Sequence, residues 1–168
     1  AVAHALRQAG VVKGDRVAIA MRNLPEWPVA FYGALLAGAI ATPLNAWWTA
    51  GELEYGLTDC GARVLFADGE RFERMCERLS SCPALERVWV SRAAGDLDAP
   101  FASRFEDLVG AVDAWAALPD RALPDVPLQP EDDATIFYTS GTTGNSKGAL
   151  GTHRNATCIL GTGAFSVL

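Results

Sequence analysis

GDRVAIAMRNLPEWPVAFYGALLAGAIATPLN, Gly14 to Asn45, is the stretch on which the fold turns. Arg16 to Met21 is a continuous apolar run of strand length, opened by the Lys13-Gly14-Asp15 turn. Glu26 to Ala37 has helix length, with Pro28 tolerated in the first turn and Gly38 at the end. Ile40 to Leu44 then reads as a second strand. A strand, a helix and a strand in so little chain predict a βαβ crossover, whose strands lie parallel in one sheet. Strands apolar at every position, rather than at alternate ones, fit a sheet covered on both faces.

The pattern repeats downstream. Gly51 to Cys60 reads as a helix closed by Gly61, and Arg63 to Ala67 as a strand. Gly69 to Leu79 is a charged amphipathic helix, Arg87 to Ser91 a strand, and Phe105 to Ala116 a helix. The first residues, AVAHALRQAG, also read as helical, as do Ile159 to Leu168. Leu118 to Pro130 holds four prolines and is expected to be an irregular connection or subdomain boundary. The fold class expected is α/β, with mixed, mainly parallel sheets flanked by helices.

Composition removes several functions. The 168 residues carry 14 Lys+Arg against 20 Asp+Glu, a formal net charge of −6, which argues against a nucleic-acid partner or an anionic membrane surface. Cys60, Cys76, Cys82 and Cys158 form no CxxC pair and the only histidines are His4 and His153, so no zinc-site spacing exists. Reduced thiols and the missing basic leader suggest a cytoplasmic protein. Trp27 to Gly51 is uncharged, but Gly38, Pro43 and Asn45 divide it, and its helical part reaches about 18 Å of a ~30 Å hydrocarbon core. No membrane span is expected. Both termini read as cuts through helices, as if the chain were part of something longer.

The chemistry is expected in DATIFYTSGTTGNSKG, Asp133 to Gly148. A strand-like run to Thr139 meets a segment with glycines at 141, 144 and 148. Those glycines permit φ > 0 and close backbone approach to a ligand, and successive exposed N–H groups form an anion site. Five of the chain's 17 Ser and Thr residues lie between Thr139 and Ser146. Hydroxyl and amide donors beside Lys147 suit a polyphosphate. No Asp or Glu follows Asp133, so the segment is locally positive but offers no carboxylate to Mg²⁺. The competing reading is a solvent-exposed glycine-rich turn between two strands. A Walker loop is a second rival, but its pattern is not met, since Ser146 rather than Gly precedes Lys147 and Gly148 follows it.

Phe137 to Asn155, FYTSGTTGNSKGAL-x-THRN, closely resembles the phosphate-binding signature of the adenylate-forming (AMP-binding) superfamily, and the acyl-CoA synthetases in particular. GVVKGDRVAIAMRNLPEW, GALLAGAIATPLN and ELEYGLTDCGARVLFAD precede it in the family's order. The resemblance spans essentially the whole chain. It implies part of an N-terminal domain over residues 1–168, lacking that domain's first part, the adenine-binding segments, the acidic Mg²⁺ residue and the C-terminal domain. It further implies an enzyme that activates a carboxylic acid with ATP as an acyl-adenylate, then forms a thioester with coenzyme A. The acid is expected to be fatty or aromatic. Thr139, Ser140, Gly141, Thr142, Thr143, Gly144 and Lys147 match the loop holding the β- and γ-phosphates, with Ser146 where the family often has Pro. ATP, Mg²⁺ and coenzyme A are the implied cofactors and co-substrates, with no Mg²⁺ ligand and no assigned catalytic residue within these residues. The 168 residues alone are expected to be inactive, and a non-catalytic remnant or nucleotide-binding module is the alternative.

Other residues have structural expectations. His153 is read as structural or capping and Asn155 as a helix-start residue. Trp47 and Trp48 are read as packing against a neighbouring domain rather than lining an acyl channel, and Glu131 to Asp133 as a solvated strand start. Tyr138 is read as core.

Overall fold

A computed structural model describes residues 1–140 and 144–158. Among them, seven strands form one sheet: β1 (Arg16–Ala20), β2 (Ile40–Pro43), β3 (Ala62–Asp68), β4 (Arg87–Ser91), β5 (Ala102–Arg104), β6 (Asp133–Thr139) and β7 (Lys147–Thr152), in the order β5-β4-β3-β1-β2-β6-β7. Every neighbouring pair is parallel except β6 and β7. The expected mixed, mainly parallel sheet is therefore present. Its first five strands follow the 2-1-3-4-5 order of a doubly wound sheet.

Both faces of the central strands are buried, which explains why their sequences do not alternate. Val17 and Ile19 of β1, Phe66 of β3 and Trp89 of β4 point toward α1 (Val2–Gln8) and α2 (Glu26–Leu36). The intervening Ala18, Leu65, Val88 and Val90 pack under α3 (Ala50–Cys60) and α4 (Gly69–Met75). Helix α1 lies close on α2 because Gly33 leaves room: a Cβ there would fall 2.5 Å from Val2 Cγ1.

Two expected helices are shorter than their sequence pattern. The helix of 69–79 turns into 3₁₀ geometry over Cys76–Ser81. The helix of 105–116 is reduced to α5 (Glu106–Val109) and a 3₁₀ segment (Val112–Ala117), parted by Gly110 at φ +71°. The expected helix at 159–168 lies outside the described residues. Residues 118–130 form no helix or strand and strap the α1–α2 face. The imidazole of His4 meets the Ala122 carbonyl at 2.8 Å, and Lys13 Nζ donates to the Pro127 carbonyl at 3.0 Å. Among the described residues no helix is long and apolar enough to cross a membrane.

Candidate functional site

Because β1, β2, β3 and β6 run parallel, their carboxyl ends share one edge of the sheet. Ligands of parallel α/β sheets settle along such an edge. β6 delivers Thr139 and Ser140 to it, both exposed. β7 then returns antiparallel, pairing Lys147 with Thr139 and Gly148 with Tyr138. The Thr139 hydroxyl donates to the Lys147 carbonyl at 3.4 Å, drawing the two stems together. Lys147 thus stands exposed on the first residue of β7, opposite the last residue of β6.

The described residues of the segment thus join two antiparallel strands and leave Thr139, Ser140 and Lys147 exposed at the carboxyl edge of the sheet. Thr139, Ser140, Gly144 and Lys147 are placed there, whereas Gly141, Thr142 and Thr143 lie outside the described residues. Gly144 has φ +156° with nothing within 4 Å of a Cβ position, so glycine is needed for backbone conformation and not for space. Gly148 has the opposite reason. Its φ is ordinary, but a Cβ would sit 2.8 Å from Ile136 Cγ2 and 3.5 Å from Tyr138 Cζ. The expectation of ligand approach at Gly148 gives way to packing under its neighbours across the hairpin.

A cavity of about 380 Å³ separates this turn from α3, with Gly144, Asn145 and Ser146 on one side and Trp48, Thr49, Gly51, Glu52 and Tyr55 on the other. The α3 wall is firm. Thr49 Oγ1 accepts from the Glu52 N–H, and Glu52 Oε2 accepts from the Thr49 N–H and hydroxyl at 2.8 Å each. These Thr49 bonds, backbone first, hold the Glu52 carboxyl below its usual range. Among the described residues Glu52 is the one carboxylate lining the cavity, and it is already engaged. The donor set accordingly fits phosphate oxygens and does not fit Mg²⁺. Among the described residues no three His, Cys, Asp or Glu side chains gather around a metal position.

A second cavity, about 660 Å³, opens between the ends of β1 and β2, lined by Met21 to Leu24, Trp27 and Pro43 to Trp47. Trp47 is 71% exposed and lies 4.0 Å under the Arg22 guanidinium. The Arg22 N–H donates to Asp68 at 2.8 Å, and Asp68 also receives the guanidinium of Arg71, which is 1% exposed and donates to the Ala46 carbonyl at 2.8 Å. This network pins the β1, β2 and β3 ends together. Its one signal in the sequence is Arg22 directly after an apolar strand.

The remaining assignments divide. Trp48 packs inside this unit, edge-on to Tyr138 with ring centroids 5.6 Å apart. Tyr138 is only half-buried and donates its hydroxyl to Asp59, so it is not plain core. Asn155 serves the helical residues 153–158 from their third position: its Oδ1 accepts from the Thr152 N–H at 2.8 Å, and its own N–H donates to Thr152 Oγ1. His153 is tied through its backbone N–H to the Asp132 carbonyl at 3.1 Å. Two of the three acidic residues form ion pairs, Asp132 with Lys13 at 2.6 Å and Glu131 with Arg154, and Asp133 is exposed at the start of β6.

Known proteins are similar to this chain. A long-chain-fatty-acid–CoA ligase of Escherichia coli O157:H7 is 34% identical over 164 residues, covering 87% of this chain and 29% of the relative. A feruloyl-CoA synthase of an Amycolatopsis species is 35% identical over 156 residues, covering 93% of this chain and 27% of the relative. The crystal structure of the anthranilate CoA ligase AuaEII with anthranoyl-AMP superposes with a TM-score of 0.77 at 31% identity, over 91% of this chain and 28% of that one. The chain thus spans under a third of the length of these relatives. The family model described as AMP-binding enzyme matches residues 1–166, taking in the whole sheet and the turn after β6, and the chain belongs to that family.

Proposed function

We propose that these residues are the phosphate-binding portion of an N-terminal domain in an ATP-dependent carboxylic acid–CoA ligase acting on a fatty or aromatic acid. The observation carrying this reading is the turn after β6. It is free of acidic residues, dense in hydroxyl and amide donors, and flanked by Lys147 across from Thr139 at the carboxyl edge of the sheet. Family membership supports the class of reaction. So do relatives whose names specify a fatty and an aromatic acyl-CoA product.

In this reading the backbone N–H groups of residues 139–144, the hydroxyls of Ser140, Thr142 and Thr143, and the Lys147 ammonium hold the β- and γ-phosphates of ATP. An oxygen of the substrate carboxylate attacks the α-phosphorus. A P–O bond to the acyl group forms, the α–β bridging P–O bond breaks, and the electron pair leaves with pyrophosphate. The loop's contribution is to aim the leaving group and to stabilise its growing charge with donors already in place. The coenzyme A thiolate then displaces AMP from the acyl-adenylate. No side chain among the described residues forms a covalent intermediate in this scheme. Mg²⁺, when bound with ATP, would neutralise phosphate charge, but these residues supply it no carboxylate. Alone, the 168 residues engage phosphate without turnover.

The test is acid-dependent ATP–pyrophosphate exchange by the complete gene product. Lys147→Ala should lower kcat/KM for ATP by about a hundredfold, the order expected for removing one preorganised donor to developing charge. Undiminished exchange in the variant would refute the assignment.

A further inference from the structure

β6 leaves the sheet gripped from both faces. On one, the Phe137 ring lies 6.5 Å from Phe31 of α2. On the other, the Tyr138 ring meets Trp48, and its hydroxyl reaches Asp59 Oδ2 at 2.6 Å and the Gly56 carbonyl at 3.3 Å. A phenol has a single proton to donate, so the short carboxylate contact takes it and the carbonyl contact is secondary. Burial first, and then the Asp59 carboxylate, raise the phenol's pKa, so the group remains a donor throughout neutral pH.

Both partners of the hydroxyl belong to α3, 79 or more residues earlier in the chain. α3 is itself well fixed, with its capping box at one end and Gly61 in the left-handed conformation at the other, φ +61°. Its first turn walls the 380 Å³ cavity facing Gly144 to Ser146. Tyr138 also touches both stems of the turn. It directly precedes Thr139 and Ser140, and its ring lies over Gly148, the residue after Lys147.

We propose that Tyr138, hydrogen-bonded to Asp59, is a positioning residue that sets the distance between the phosphate-binding turn and the α3 wall. It thereby directs the turn's donors and Lys147 onto the phosphates of ATP. The inference rests on the phosphate-binding reading above and adds the group that aims it. Tyr138 makes no contact with ATP in this scheme. It acts through the stems.

The test uses Tyr138→Phe, Asp59→Asn, Asp59→Leu and the Tyr138→Phe/Asp59→Leu double variant in the complete gene product. Pyrophosphate exchange is measured with ATP and acid varied separately, alongside thermal midpoints. Tyr138→Phe and Asp59→Leu should each raise the KM for ATP about fivefold, the worth of one partly solvated hydrogen bond, while the KM for the acid stays within about twofold. The double variant should be no worse than Asp59→Leu alone, since both single changes remove the Tyr138 bond and Asp59→Leu already includes loss of the longer Tyr55 contact at 3.4 Å. Asp59→Asn still accepts the phenol proton and should stay near the parent. An unchanged KM for ATP, equal rises for ATP and acid, or a loss that only follows thermal stability would overturn the positioning role. So would Asp59→Asn matching Asp59→Leu. A parent enzyme with no exchange refutes the phosphate reading itself, whereas normal exchange in Tyr138→Phe refutes this inference alone.

Discussion

At the scale of single residues, the two described glycines of the signature, Gly144 and Gly148, are of different physical kinds. Gly144 has a backbone conformation that a side chain would strain, in open surroundings. Gly148 has ordinary backbone geometry but no room, because Ile136 and Tyr138 close over it from β6. Gly148→Ala should therefore destabilise the hairpin by about 2 kcal/mol through overpacking. The loss would appear as a lower denaturant midpoint with the slope unchanged. A variant as stable as the parent would show that Ile136 gives way freely. Sequence alone treated the two glycines alike, because a one-letter G does not distinguish a conformational need from a steric one.

At the scale of elements, the irregular strap of residues 118–130 is held by side chains of other elements rather than by a helix or strand of its own. Lys13 bridges it, donating to the Pro127 carbonyl and pairing with Asp132 just beyond. The Lys13 bond first, then the Gln129 N–H, hold the Asp132 carboxyl below its usual range. A depressed folded-state pKa stabilises the fold above the unfolded value, and that contribution disappears as pH falls through the folded one. The parent should then lose more stability than Asp132→Asn between about pH 5 and about pH 3. Chemical denaturation across that range measures it, and parallel curves would dismiss the pair as a support. The two truncated helices are also an element-scale result. Both carry helical periodicity, but the chain must turn to start β4 and to reach the strap, and Gly110 marks one of those turns.

At the scale of the whole molecule, the sheet is covered at its centre and bare toward β7. Leu150 is 58% exposed on one face of the hairpin and Phe137 47% on the other. Among the described residues no strand pairs with the outer edge of β7. Unpaired strand edges with apolar flanks invite association. The 168-residue chain should self-associate at raised concentration, and Leu150→Lys should reduce that by placing a charge on the edge strand. Light scattering decides it, with equal scattering from both chains counting against an open edge.

The sequence by itself determined the α/β class, the positions of the principal strands and the donor-rich turn after Thr139. Each rests on local information: apolar runs of strand length, glycine and proline punctuation, and an unusual density of hydroxyls. Only the tertiary structure decided that β7 returns antiparallel, and that α3 forms the opposite wall of the candidate site. It alone also joined Tyr138 to Asp59, and Arg22 and Arg71 to Asp68. These contacts link residues 46 or more positions apart, apart from the Arg71–Asp68 pair that the same network recruits. No periodicity encodes them, because they follow from which strands become neighbours in the sheet.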